Sequence, residues 1–214
     1  MERRKFLKTL SLAAGSTFAI THSLAKSEKE SRHLIALGTA ACHFAAKNIK
    51  ELPFQSVTLM DGERPTFHNQ EGEFIEFSPP DSLFESIGSM KILKNGNLPI
   101  LPISSEIDDH LRSLQGDLVF LAGLGKATGT LLFQSIGLYY QNPKQNLEWI
   151  GTLPFEFEGS RKSAHADLAI HLLAENGKEP SVIYSEEIRK TFGNISIRKA
   201  YEMLDQRVYK LFKG

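Results

Sequence analysis

The sequence predicts an α/β fold, a three-layer sandwich with a mainly parallel sheet between two layers of helices. Three observations predict it. Short apolar runs alternate with helix-length segments along most of the chain, the pattern of strands joined by helical crossovers. Asp117 to Ala122 (D-L-V-F-L-A) is apolar without a break after its first residue, as a strand covered on both faces requires. Between Ile195 and Phe212 the residues Ile197, Tyr201, Leu204, Val208 and Leu211 recur at helical spacing, which predicts a long amphipathic helix.

The elements follow in order. His33 to Leu37 reads as a strand ended by Gly38, and Thr39 to Ile49 as an alanine-rich helix. Gln55 to Met60 is a second strand, stopped by the turn pair Asp61-Gly62. Glu63 to Asn97 is the least regular stretch; within it Glu73 to Phe77 alternates polar and apolar residues as an edge strand does, and Pro79-Pro80 ends it. Leu98 to Ile103 is a short extended piece, and Ser105 to Leu114 an amphipathic helix. After the strand Asp117–Ala122, a glycine-rich turn leads into a helix through Tyr140. Leu147 to Gly151 is a strand, Arg161 to Glu175 a helix closed by Asn176-Gly177, and Ser181 to Tyr184 a short strand.

The first residues stand apart. Met1 to Lys8 is basic, an apolar run reaches about Ile20, and Ser23-Leu24-Ala25 is a small-x-small exit site. That order is a secretory signal, and the apolar run is too short for a spanning helix. Arg3-Arg4 followed by Phe6-Leu7-Lys8 resembles the twin-arginine motif of proteins exported already folded. The division expected is a signal segment 1–25, a polar linker 26–32 and one domain 33–214. Cleavage would remove Arg3, Arg4, Lys5, Lys8 and Glu2, leaving a mildly acidic chain. Lys plus Arg equals Asp plus Glu at 25 each, so there is no basic field for nucleic acid. Membrane contact is expected only through the N-terminal segment. The single cysteine, Cys42, can make no internal disulfide and reads as a packed small hydrophobe.

Ligands of open α/β sheets bind in the turns after strands. The turn Gly123-Leu124-Gly125-Lys126-Ala127-Thr128-Gly129-Thr130 holds three glycines and two threonines between a strand and a helix. Glycines let backbone N–H groups approach a phosphate, threonine hydroxyls add donors, and the helix N-terminus adds partial positive charge. It is not a Walker loop. Gly151 to Lys162 (G-T-L-P-F-E-F-E-G-S-R-K) follows the next strand.

Together these segments resemble the FtsZ/tubulin family. Gly123, Gly125, Thr128, Gly129 and Thr130 match its signature loop, with Lys126 and Ala127 in place of central glycines and Leu131 in place of the closing one. Thr152, Pro154, Phe155, Phe157, Glu158 and Gly159 match the family's T-x-P-F-x-F-E-G. The resemblance covers Arg32 to Gly214 and is specific from Asp117 to Gly159. It implies the Rossmann-like nucleotide-binding domain of that family, with GTP or another phosphate-bearing nucleotide as ligand. It implies Gly38 and Thr39 in the first turn and the whole 123–130 loop at the phosphates. Glu158 and Lys162 would then face the sugar. At the base, the resemblance puts Ser185 and Lys199 where the family has an asparagine and an acid, so base-indifferent binding is expected. It implies self-association or pairing with an FtsZ-like partner. Because the chain stops after the helix matching the family's central one, the loop that activates water and the second domain are not in it, and no hydrolysis by the chain alone is expected. The alternative is a ligand-free structural or interaction module that keeps the fold. No metal motif is present; His165 and His171 are six apart and read as lying on different helix faces, and Glu186-Glu187 and Asp108-Asp109 read as solvated surface.

The expected location is periplasmic or exported if the signal is used, and cytoplasmic otherwise. Changing Arg3 and Arg4 together to Lys is expected to hold the chain in the cytoplasm as the longer precursor. Fractionation with immunoblotting reads it; a wild-type chain found unprocessed and cytoplasmic would refute export.

Overall fold

The structure, a computed structural model, describes residues 31–66, 71–77 and 102–213. The signal segment, its Arg3-Arg4 pair and cleavage site, linker residues 26–30, and the expected extended piece as far as residue 101 lie outside the described residues. Among the described residues no helix is long and apolar enough to cross a membrane.

The elements are β1 Arg32–Leu37, α1 Gly38–Asn48, β2 Ser56–Asp61, β3 Glu73–Glu76, α2 Ser105–Ser113, β4 Asp117–Gly123, α3 Ala127–Tyr139, β5 Leu147–Thr152, a 3-10 turn Glu156–Glu158, α4 Ser160–Glu175, β6 Ser181–Ile183, α5 Ser185–Phe192 and α6 Ile197–Lys213. The strands form one sheet in the order β3-β2-β1-β4-β5-β6. Every pairing is parallel, so the sheet is wholly rather than mainly parallel. All carboxyl ends therefore open on one edge. The register Gly123↔Thr152 sets the loops after β4 and β5 side by side on that edge, as the sequence predicts.

The period-2 alternation of each strand divides the core into two layers. Leu34, Ala36, Val119 and Leu121 meet Phe44, Ala45, Ile188, Leu204 and Val208 from α1, α5 and α6. Ile35, Leu37, Leu118, Phe120 and Ala122 meet Ile107, Leu132, Phe133, Ala166 and Leu173 from α2, α3 and α4. In the second layer Trp149 stacks on Phe120 at 4.2 Å and takes Phe133 edge-on at 5.4 Å.

Two expectations change. The segment Ser185–Phe192, to which the sequence reading assigned no element, is a helix: Glu186 and Glu187 occupy its first turn, Arg189 and Lys190 its last, and Gly193 closes it at φ +69°. These are ordinary helix-end charges, masked by the shortness of the element. The buried face of α6 is Ala200, Leu204, Val208 and Phe212, whereas Ile197 and Leu211 of the expected stripe are exposed. Leu204 and Val208 of that stripe are buried, Tyr201 is exposed like its ends, and the face extends to Phe212, whose ring meets Phe44 at 6.2 Å and Phe54 edge to face at 5.0 Å.

Phe120→Ala is expected to cost about 3–5 kcal/mol of stability. The sole tryptophan, Trp149, sits on the deleted ring and reports unfolding by its emission in a urea titration. A loss under about 1 kcal/mol, the order of a surface change, would contradict this core.

Candidate functional site

The strand order reverses direction between β1 and β4, and open sheets leave a crevice at that point. Helix α1 starts there with Leu37 as its cap residue and α3 with Lys126, neither giving a side-chain cap bond, and neither first turn carries an acid. Both helices therefore present first-turn N–H groups without a capping side chain, with the positive end of each macrodipole toward the edge. What lets them converge is two glycines. Gly38 has φ +76°, and a Cβ on it would stand 2.5 Å from Gly129 Cα and N. A Cβ on Gly129 would stand 2.8 Å from the Leu37 carbonyl oxygen. Thr39 and Lys126 are exposed beside this contact, and Ala127 and Thr128 half-buried.

The interior of the glycine turn differs from the expectation that all its donors face an anion. The Leu124 N–H donates to the Thr152 carbonyl at 2.9 Å, extending the sheet. The Gly125 N–H donates to Thr130 Oγ1 at 2.9 Å, and Thr130 is fully buried. These donors and the Thr130 hydroxyl brace the turn from within. Gly125 sits at φ +99°, where a Cβ would meet the Lys162 carbonyl oxygen at 2.8 Å, so the turn also rests on α4. Around the turn Thr39 and Lys126 are exposed and Ala127 and Thr128 half-buried, while Gly38 and Gly129 are buried against one another.

The loop after β5 is pinned by Phe155, which is fully buried. The structure joins Glu158 and Lys162 to one another, Nζ to Oε2 at 2.9 Å. Glu158 Oε1 accepts the Phe155 N–H at 3.0 Å. Burial works to raise the Glu158 pKa, but Lys162, the Phe155 N–H and the nearby Tyr201 hydroxyl outweigh it and hold it below the usual carboxylate range. The Tyr201 phenol is pushed up to about 12 by burial and by the Glu158 charge.

Between α1, the ends of β4 and β5, and α6 lies a cavity of about 160 Å³, with Ala41, Gly123, Lys126, Pro154, Tyr201 and Asp205 among its lining residues. Burial pushes the Asp205 carboxyl above its ordinary pKa, against the opposing pull of Lys47 at 3.6 Å. Lys199 does not line the cavity; it pairs with Glu202 at 3.4 Å on the exposed side of α6. Ser185 is buried and donates to the Leu153 carbonyl. Tyr201 and Asp205, which the sequence reading did not assign to the base, line the cavity instead. Their four-residue spacing puts them on one helix face, and Lys199 is two residues from Tyr201, on another.

The remaining candidates resolve simply. Cys42 is buried with Sγ 3.3 Å from the Ala36 carbonyl oxygen, and burial, aided by the Asp61 charge, pushes its thiol up to about 12, so it packs rather than reacts. His165 is buried while His171 pairs with Glu175 at the surface. Glu186 is not free surface: it accepts the Glu156 N–H at 3.1 Å and pairs with Arg189, tying α5 to the 3-10 turn. Glu187 pairs with Arg207 and Asp108 with Arg112. Among the described residues no cluster of His, Cys, Asp or Glu could hold a metal.

No protein-family model matches the chain and no curated protein matches its sequence. Solved structures do match in shape. An FtsZ dimer, empty, from M. jannaschii superposes with a TM-score of 0.66 at 13% identity, covering 90% of this chain and 56% of its own. CetZ1 from Haloferax volcanii, a GDP-bound monomer, gives 0.54 at 14%, covering 84% and 58%. A TubZ protofilament from bacteriophage PhiKZ gives 0.53 at 10%, covering 86% and 56%. The fold is that of the FtsZ/tubulin nucleotide-binding domain. The chain spans little more than half the length of these FtsZ/tubulin-type structures.

Gly38→Ala separates the strain of a positive φ from the collision with Gly129. Gly177 also has a positive φ, +73°, but open space around it. Both substitutions carry the backbone term of about 1–2 kcal/mol, and Gly38→Ala adds an overpacking term of about 1–3 kcal/mol. Equal losses in parallel urea titrations would show that the two turns do not touch.

Proposed function

We propose that this chain binds a phosphate-bearing nucleotide at the carboxyl edge of its sheet. The observation that carries the reading is the convergence of two N-termini without side-chain caps, α1 and α3, at the Gly38–Gly129 contact. An anion set there meets N–H donors and two aligned helix dipoles. Lys126, exposed and lining the adjoining cavity, adds a point charge as lysine does at other phosphate sites. At about 160 Å³ the cavity is below the roughly 300 Å³ of a site enclosing a whole drug-sized ligand. It suits the base, leaving the phosphates on the open turn. Tyr201 offers a ring edge, and the Asp205 carboxylate offers two acceptors for the paired N–H donors of a guanine Watson–Crick edge, which adenine lacks. GTP or GDP is therefore the favoured ligand, in place of the base-indifferent binding expected from Ser185 and Lys199.

Hydrolysis by the chain alone is not part of the proposal. Of the carboxylates lining the cavity, Glu158 is held by Lys162 and the Phe155 N–H, and Asp205, on α6, is the one this reading assigns to the base; that leaves neither to orient a water at the phosphates. A second reading, an interaction module, is favoured by Phe157 and Ile197, both exposed, which share a groove beside the same edge. The solved relatives include a dimer and a protofilament, so self-association at this edge is compatible with either reading.

Calorimetry with GTP, ATP and tripolyphosphate distinguishes the two. Binding of GTP and tripolyphosphate, weakened by roughly tenfold in Lys126→Ala, is the expected result. No binding of any of the three would leave the interaction module.

A further inference from the structure

Strand β3 is four residues long and ends the sheet beside β2. Ile75 is its one buried side chain, and it carries an acid at each end, Glu73 and Glu76. Charge of this kind keeps an edge from pairing further. The strand behind it is different. β2 is buried from Val57 to Asp61, and its one charged residue is Asp61 at the end. With β3 gone, β2 would offer Val57-Thr58-Leu59-Met60, an uncharged run able to take up another strand. Besides the ladder and Ile75, the bonds that fasten this edge are mostly exposed. Just before β3, Lys50 pairs with Glu71 at 3.4 Å and Arg64 Nη2 donates to the Gly72 carbonyl at 2.6 Å. The exception comes from α2. His110 Nε2 is hydrogen-bonded to Thr58 Oγ1 at 2.9 Å, and its Nδ1 stands 3.2 Å from Glu73 Oε1. Thr58 is buried and the His110 side chain is 9% exposed.

Thr58 and Glu73 are register partners at the start of the β2–β3 ladder. One imidazole therefore spans both strands, and Ile107 and Leu111, buried on the same helix, hold it there. We propose that His110 is the catch on a releasable edge strand, and that β3, once released, pairs with β2 of a second copy of this chain. A short strand with one buried side chain is the part of a sheet that opens at low cost. The second copy is the occupant that fits, because its β3 brings the same Ile75 and the same Glu73 to the same partners. Exchange of identical strands remakes the native contacts between two chains, so its cost lies in the opening. His110 sets that cost.

Hydrogen exchange read by mass spectrometry on the full chain tests this, with His110→Ala and Thr58→Val. The valine keeps the shape of the threonine without its hydroxyl, so it carries the test if His110→Ala does not fold. In dilute protein either variant is expected to exchange amides 57–61 and 73–76 roughly tenfold faster than the wild type, the worth of about one hydrogen bond. Amides 117–123 of β4 are expected to exchange as before, which a general loosening of the fold would not allow. As the variant is concentrated, 57–61 is expected to slow again, and light scattering is expected to show more dimer than the wild type forms at the same concentration. Exchange of 57–61 as slow as in the wild type, or a rise shared with β4 in both variants, shows that His110 is no catch. Fast exchange at every concentration with no added dimer shows that the freed edge takes no second copy. Either result overturns the inference.

Discussion

Two backbones touch where β1 runs into α1 and β4 into α3. Gly38 and Gly129 approach so closely that a single added carbon on either would collide with main chain of the other turn. Nearly everything else at the carboxyl edge depends on that approach. It sets the two helix N-termini together, fixes where the glycine turn begins, and leaves the cavity bounded by α1 on one side and the β4 end on the other. Side chains could not do this: the constraint is that no side chain be there, which is the physical use of glycine at a point of close packing.

The second organising feature is that donors and acceptors around the turn are largely satisfied by the protein itself. Gly125 gives its N–H to Thr130, Leu124 gives its to Thr152, and Glu158 holds the Phe155 N–H and Lys162. A turn braced in this way is preorganised, its shape set in advance. The groups that brace it are paired within the protein, and the helix N-termini without side-chain caps and the exposed Lys126 stand at its edge.

Helix α6 completes the site from the far side of the chain. Its Leu204 and Val208 pack into the layer that contains Phe44 and Leu121, and this packing sets the rotation of the helix. The same rotation turns Tyr201 and Asp205 to the cavity and Lys199 to solvent. Stability and cavity geometry are thus the same interaction at this element: the residues that bury the helix decide which polar neighbours face the cavity. Helix α5 works in a similar way at shorter range. Its Glu186 holds the Glu156 N–H and Arg189 reaches the Glu156 carboxylate at 3.1 Å, so the loop after β5 is fastened to the element that follows β6.

Strands, most helices, their order and the two loops at the carboxyl edge were legible in the sequence, because each is governed by local chemistry. Alternation in Glu73–Phe77, the unbroken apolar run of Asp117–Ala122 and the glycines of the 123–130 turn carry their meaning within a few residues. Parallel pairing then follows from helical connections between strands, and with it the meeting of both loops at one edge. What the sequence left undecided is what depends on orientation between distant segments. The direction of the Gly125 N–H depends on a threonine brought round by the turn, and the state of Glu158 depends on Tyr201, which lies on α6 beyond β6 and α5. The choice of Asp205 over Lys199 as the residue facing the cavity depends on helix phase. Those are decided by packing across the sheet, since a side chain's direction on a helix is known only once the helix's own rotation is fixed by what it buries.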